Sequence, residues 1–460
     1  MKIIADLHLH SRFSRAVSQQ MTIPIISEWA NKKGIDLVAT ADWTHPIWFR
    51  ELKSQLTQVE EGLYRLKSNA KGQLSAVKFI LSTELSSIYS QAGATRRVHY
   101  LVFAPSLEVA EKINLKLKTH RVNLLSDGRP ILGLAVKDVT YLVLETDPRC
   151  LIIPAHIWTP WFSLYGSMSG FDSIDECFGN LAKNIYAVET GLSSDPAMNW
   201  RVEELDSRQI ISSSDAHSPQ KLGREATVFE LSELSYESVR RALVNPVNQE
   251  DQVDHENSIN LVNRSTRLTS RISYTIEFYP EEGKYHYTGH RNCEVVYSPN
   301  EARKKGLICP VCGKKLTVGV MSRVESLAKK EVNIETGVDV NKVNWIKDRN
   351  GNRPPYIMLV PLEEIIAESL NIGVGSKTVR EEYEHLINEL GNEFAVLIDT
   401  PVRRLEEVAG RRISEGIEKV RTGNLVIDPG YDGVFGKVKI WKEEIQKEKI
   451  NKVSQSTLFG

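Results

Sequence analysis

Residues 1–10 read MKIIADLHLH and residues 210–217 read IISSSDAH. Each stretch is a short β-branched run that ends in side chains able to hold a metal. Alternation along an extended segment puts His8 and His10 on one side of the chain. Between these ends lie five more apolar runs, Leu37–Thr40, Phe79–Leu81, Val98–Phe103, Leu151–Pro154 and Ile185–Val188, which complete a set begun by Ile3–Ala5 and closed by Ile210–Ser212. Amphipathic stretches such as Ile25–Lys33 and Leu107–Lys118 separate them. Strands alternating with helices imply a parallel sheet, and seven such units predict an α/β chain whose residues 1–245 close into a (β/α)7 barrel.

The ligand-type residues fall where such a barrel gathers its chemistry. Asp42 follows the second run, Glu84 the third and His156 the fifth; His99 lies near the start of the fourth, and Asp215 and His217 follow the seventh. The carboxyl ends of barrel strands converge on one face. A lone buried histidine is more often a core residue, as His45 or His120 could be. Eight ligand-type residues placed almost wholly at strand ends are not explained by packing. Imidazole with carboxylate suits Zn²⁺, Mn²⁺ or Fe²⁺, and Glu84 can bridge two ions.

At 460 residues, 41% hydrophobic and 25% charged, the chain has the composition of an ordinary globular protein. No apolar run approaches the ~20 residues that span a bilayer, so no membrane partner is expected. The first residues lack the apolar core of a signal peptide. Five cysteines are too few and too scattered for a disulfide framework. These features predict a cytoplasmic protein. The net charge is only −1, but Lys284–Lys330 holds ten Lys/Arg against three Glu, a local +7 that leaves −8 for the remainder.

That basic segment carries its own site. Cys309-Pro-Val-Cys312-Gly is a C-x2-C knuckle, and His290-Arg-Asn-Cys293 offers two more donors at the same spacing, with His286 as the alternative histidine. A closed structural zinc ribbon over 275–340 is expected, presenting Arg303, Lys304, Lys305, Lys314 and Lys315 to a phosphate backbone. The polar segment 246–274 reads as a linker, 341–446 as a smaller mixed α/β domain with helices at Leu362–Leu370, Thr378–Leu390 and Pro401–Arg421, and 447–460 as a flexible tail.

The loop after His156 reads IWTPWFSLYGSMSGFDS, with five aromatics in a Gly/Ser-rich segment of no regular period. Composition divides evenly between a packed lid and a surface for stacking on an extruded base.

DLHLHSRFS, ATADW, Glu84 and SSSDAH resemble the motifs of the polymerase-and-histidinol-phosphatase (PHP) phosphoesterases over residues 1–245. IPAHIWTPWFSLYGSMSGFDS, ETGLSSDPAMNW and HYTGHRNC…CPVCGKKLTVGV resemble the endonuclease Q family of DNA-repair nucleases over most of the chain. The resemblance implies two divalent ions (Zn²⁺, Mn²⁺ or Mg²⁺), the first on His8, His10, Glu84 and Asp215 and the second on Glu84, His99 and His156. His217 would belong to a third. There the chain departs from the wider PHP pattern, with Arg15 and Trp43 where an Asp and a His are expected. That puts the third ion in question and makes Arg15 and His217 candidates for the scissile phosphate, with His45 as a substitute ligand. Arg96, Arg97 and Arg224 are weaker phosphate candidates.

The implied activity is hydrolysis of DNA on the 5′ side of a deaminated base (hypoxanthine, uracil, xanthine) or an abasic site. The damaged base would enter a pocket drawn from Trp158, Trp161, Phe162, Ser169, Gly170 and Phe171. Gln455, Leu458 and Phe459 resemble a sliding-clamp-binding peptide, which makes a clamp the expected partner beside damaged DNA. The rival readings are a phosphatase on a small phosphate monoester, which leaves the basic module idle, and a non-catalytic DNA- or clamp-binding protein, which should lack metal ligands.

Overall fold

The protein, described here as a computed structural model over residues 1–67, 75–244 and 270–442, is a mixed α/β fold. All seven expected runs are strands. The first, Lys2–Asp6, lies inside a ten-stranded sheet, parallel to Leu37–Ala39 with Ala5 facing Leu37, and antiparallel to Ala226–Glu230 with Ile3 facing Phe229. Ala5, Leu37 and Phe229 are fully buried, so one register slip would turn this apolar row out of the core.

Antiparallel pairing interrupts the expected parallel alternation. Ser82–Gln91 and Ala94–Phe103 form a ten-residue antiparallel hairpin, and the closing strand Ala226–Glu230 runs against the first. Ala92 and Gly93 sit at φ 52° and 76°, the mirror-image turn that matches strand twist. STELSSIYSQ does not read as a strand because its buried face is largely hydroxyl, with Ser87 Oγ bonded to the Tyr100 hydroxyl at 2.9 Å. The pairing is divided among separate sheets. Ile131–Leu132, Ser82–Gln91, Ala94–Phe103 and Leu151–Pro154 form a four-stranded sheet, and Ala187–Glu189 pairs in parallel with Gln209–Ile211.

The strand Arg271–Glu277 starts within the segment expected to be a linker and adds directly to Ala226–Glu230. Its alternating Ile272, Tyr274 and Ile276 are buried. The sheet then continues through Tyr356–Met358 and Asn344–Asp348 to Ile334–Val338. The expected C-terminal helices are present at Leu362–Leu370, Lys377–Leu390 and Val402–Thr422, the last interrupted at Gly410 (φ 72°). Arg421, 1% exposed, donates to the carbonyls of Leu397, Val396 and Thr400 at 2.8 Å and of Asn341 at 2.7 Å. A buried guanidinium is tolerable only when its donors are met in this way. These bonds also lash the helices to the loop between the last two sheet strands.

Among the described residues no helix is long and apolar enough to cross a membrane. Gln455, Leu458 and Phe459 lie outside the described residues.

Candidate metal centre

The strand ends bring the expected ligands into one buried cluster. Both oxygens of Glu189 stand 3.0 Å from His8 Nδ1, and Asp42 Oδ1 stands 3.3 Å from His10 Nδ1. Each carboxylate fixes the ring and turns Nε2 inward, the usual outer-sphere arrangement of a metal-binding histidine. Asp42 is held by Ser11 N (2.7 Å), Ser11 Oγ (2.6 Å) and Ser14 Oγ (2.8 Å), which gives both serines of HSRFS a structural task.

Glu84 is the centre of the cluster. Its Oε1 lies 2.8 Å from His99 Nδ1 and 3.0 Å from His156 Nε2. Its Oε2 lies 3.2 Å from His10 Nε2 and 3.7 Å from His8 Nε2. Asp215 Oδ1 closes the second side, 3.1 Å from His10 Nε2 and 3.6 Å from His217 Nδ1. Three donor sets are therefore gathered tightly enough to hold an ion: His8–His10–Glu84, Glu84–His99–His156 and His10–Asp215–His217. His8 Nε2, His10 Nε2 and Asp215 Oδ1 are buried without a hydrogen-bond partner. Orphaned buried polar atoms are rare unless something else satisfies them, and these donors fit divalent cations.

Electrostatics and backbone agree with that fit. Burial disfavours a charged His10, yet Asp215, Asp42 and Glu84 push it up to about 10. Against the same desolvation, the surrounding histidines and Arg129 hold the Glu84 carboxyl well below its usual range. A cation entering the cluster would meet carboxylates already ionised, and its binding would displace imidazole protons. Asp42, His156 and Asp215 all sit at positive φ (29°, 32° and 46°). Such backbone is costly for non-glycine residues and concentrates at functional sites. Gly191 makes room for one of them, since a Cβ there would lie 2.3 Å from His156 Cβ.

Two participants carried no sequence signal. Glu189 ends its strand within ETG and reads as an ordinary strand residue until His8 is seen against it. Arg129, from an irregular loop, places its guanidinium 2.8 Å from Glu84 Oε2. Near Glu189, two more buried carboxylates meet. Ser212, Thr275 and Thr190 donate to Glu277, and the amide of Phe278 donates to Glu225 at 3.3 Å. Burial pushes both carboxyls up, Glu277 to about 8 from an ordinary 4.5. A carboxyl raised in the folded chain binds its proton more tightly there. Its contribution is complete below about pH 4.5 and is lost as the pH rises toward 8. Glu277→Gln is expected to flatten the fall of Tm between pH 5 and 8; an unchanged pH slope contradicts this assignment.

Other expected residues stand apart. His45 caps the helix Pro46–Gln55 and stacks on Phe13 at 4.4 Å, so it is not gathered with the ligands. Trp43 is fully buried. Arg224 donates to the Ser214 carbonyl at 2.9 Å and braces the Asp215 turn. Arg96 donates to the Gly170 carbonyl and covers Phe171, and Arg97 lies over Phe162. Arg15 is exposed; His217, by contrast, belongs to the third donor set and is half-exposed at its mouth.

The aromatic loop is partly a packed lid. Trp158 is fully buried and donates to Asn199 Oδ1 at 2.7 Å, while Phe171 is 1% exposed. Both are core residues, which corrects their expected place on a stacking surface. Ser169 is buried, with its hydroxyl near the Phe162 amide and the Arg97 carbonyl. Trp161 and Phe162 are half-buried; Phe162, at φ 62°, rests on His99 at 4.8 Å.

His290, Cys293, Cys309 and Cys312 form a fourth donor set, with His290 Nδ1 3.4 Å from Cys312 Sγ. His286 is buried and lies outside it, which decides between the two histidines. Desolvation opposes ionisation of Cys309, but the amides of Cys312 and Val311 with His290 bring its thiol down to about 6. Lys304, Lys314 and Lys315 are exposed, while Arg303 pairs with Glu325 and Lys305 with Glu301.

Comparison with known proteins adds four findings. The crystal structure of the lesion-specific endonuclease PfuEndoQ from Pyrococcus furiosus is 32% identical, covers 97% of each chain and has a TM-score of 0.76. Endonuclease Q in complex with a 27-mer duplex substrate bearing an abasic lesion at the active site is 32% identical, with a TM-score of 0.75 over 96% of this chain and 98% of that one. The uncharacterised protein MJ0043 of Methanocaldococcus jannaschii is 31% identical over 296 residues, 63% of this chain; the alignment takes in 32% of that relative's length. A family model described as the MJ0043 C-terminal domain matches residues 361–424.

Proposed function

The chain belongs to the endonuclease Q family, and from that premise we propose that it is a metal-dependent DNA-repair endonuclease. It hydrolyses the phosphodiester on the 5′ side of a deaminated base (hypoxanthine, uracil or xanthine) or an abasic site. The observation that carries the reading is Glu84, whose two oxygens face two different histidine sets. In this reading the three sheets are arcs of one (β/α)7 barrel, and its mouth is the cleavage site.

His8, His10, Glu84 and Asp215 would hold one divalent ion, Glu84, His99 and His156 a second, and His217 would add a third with His10 and Asp215. When bound, such ions polarise the phosphodiester and lower the pKa of water. The remaining work falls to the chain. Glu189 and Asp42 each hold a proton at Nδ1 of His8 and His10, so Nε2 is the nitrogen that faces the cluster and would give up its proton to an ion. His217 donates Nδ1–H to the Asp215 carbonyl at 2.8 Å, leaving the Nε2 lone pair toward the cleft. Arg129 and the exposed Arg15 take phosphate oxygens, a guanidinium's preferred partner. Trp161 and Phe162 offer the remaining aromatic faces for a displaced base.

The basic zinc module grips the backbone beyond the lesion. DNA affinity is expected to fall with salt at a log–log slope of about −0.9 for each phosphate neutralised. Reversing Lys304 and Lys305 together should make that slope shallower by about two such contacts, for damaged and undamaged duplex alike. An unchanged slope places the backbone contacts elsewhere. Equal affinity of the wild type for abasic and undamaged duplex contradicts lesion recognition.

A further inference from the structure

One phenylalanine ring stands out from the described surface. Every other Phe and Trp among the described residues is buried or half-buried, but Phe435 is 61% exposed and its neighbour Val434 is 40% exposed. Single exposed apolar residues are common and need no explanation. This pair differs because its backbone is fixed. The Tyr431 and Val434 amides and carbonyls exchange hydrogen bonds of 3.0 and 2.8 Å across Asp432 and Gly433, both at positive φ. Gly430 N donates to Glu281 O, Gly433 N to Lys284 O and Gly436 N to Glu282 O, all within 3.0 Å. A Cβ at Gly436 would lie 2.1 Å from the Glu281 carbonyl, so the close approach requires glycine. Asp432, the turn's carboxylate, is occupied by Arg291 N and Thr317 Oγ1.

The turn is also well placed. Thr159 links His156 to the Trp161 carbonyl, Trp161 meets the Tyr285 ring edge-on at 5.4 Å, and a Cβ on Gly433 would lie 3.8 Å from the Tyr285 hydroxyl and 2.9 Å from Arg291 Nη1. Thr159, Trp161 and Tyr285 therefore lead from the ligand His156 to the neighbourhood of this turn. Lys284 and Arg291 are exposed beside it, and the Lys284 ammonium lies 4.5 Å from the Phe435 ring centroid. A rigid apolar tip flanked by cations is complementary to a base stack flanked by phosphates. Apolar side chains inserted at a base step are a known way to hold a duplex kinked.

We propose that Phe435, carried on the pinned turn Gly430–Gly436, is a wedge that fills the gap left in the DNA stack when the damaged nucleotide is displaced toward the metals. The proposal rests on the endonuclease reading above. As the ring enters, Lys284 is free on its flexible stem to move to a phosphate.

The test compares one uracil in a fully paired duplex with the same uracil inside a three-nucleotide bubble, where stacking is already broken. Phe435→Ala is expected to lower the ratio of kcat/KM (paired over bubble) by about tenfold or more, in keeping with the cost of unstacking a base step. Phe435→Leu, which keeps apolar bulk, should restore most of it. A Phe435→Ala protein that nicks with the wild-type ratio overturns the wedge and leaves the endonuclease reading standing. A wild-type protein that nicks neither substrate overturns both.

Discussion

Glu84→Gln is expected to lower kcat/KM for nicking lesion-bearing DNA by on the order of 10³-fold or more, the scale seen when one preorganised electrostatic group is removed from a reacting centre. The substitution keeps the size of the side chain but removes the charge that faces both histidine sets at 2.8–3.2 Å. It leaves His8, His10, His99 and His156 around a neutral amide, one of whose termini is now a donor. Divalent metal bound per chain should fall in parallel, which elemental analysis of the purified variant would read. Asp215→Ala should behave alike from the other side of His10. Near-wild-type nicking by either variant, with its metal content intact, contradicts the cluster as the reacting centre.

Cys309→Ser should release one zinc per chain and loosen the module around it. A hydroxyl is a poor substitute for a thiolate, and small metal sites draw much of their folding free energy from the ion. The module's own apolar core is slight, with Tyr297, Ala302, Cys309 and Leu316 buried together. Binding to duplex DNA should weaken by roughly tenfold or more as Lys304, Lys314 and Lys315 lose their fixed positions. Turnover at saturating DNA should change far less, because none of the four donors belongs to the Glu84 cluster. A variant that keeps both its zinc and its DNA affinity contradicts this role.

Much of the site was legible in the sequence because strand ends carry it. His8 and His10 two residues apart, Glu84, His156 and the Asp215–His217 pair each follow an apolar run, and the structure brings them together. The seven runs were legible for the same reason. The strand Ser82–Gln91 was not, since its buried positions include Ser82, Thr83, Ser86 and Ser87 and show no apolar alternation. Glu189 and Arg129 act only through partners far away in sequence, His8 and Glu84, so no local pattern reveals them. The aromatic loop marks the limit of composition. Trp158 and Phe171 are as aromatic as Trp161 and Phe162, yet a bond to Asn199 and the cover of Arg96 place the first pair in the core. The choice between His286 and His290 likewise needed three dimensions.

The central claim is tested most directly on a duplex carrying one abasic site, uracil or hypoxanthine, incubated with the protein and Mn²⁺, Mg²⁺ or Zn²⁺, with products mapped at nucleotide resolution. The account predicts a single nick on the 5′ side of the lesion, absent from the undamaged duplex, abolished by a chelator and restored by added metal. Cleavage of damaged and undamaged duplex alike, or no nick beside any lesion while a small phosphate monoester is hydrolysed, would contradict it.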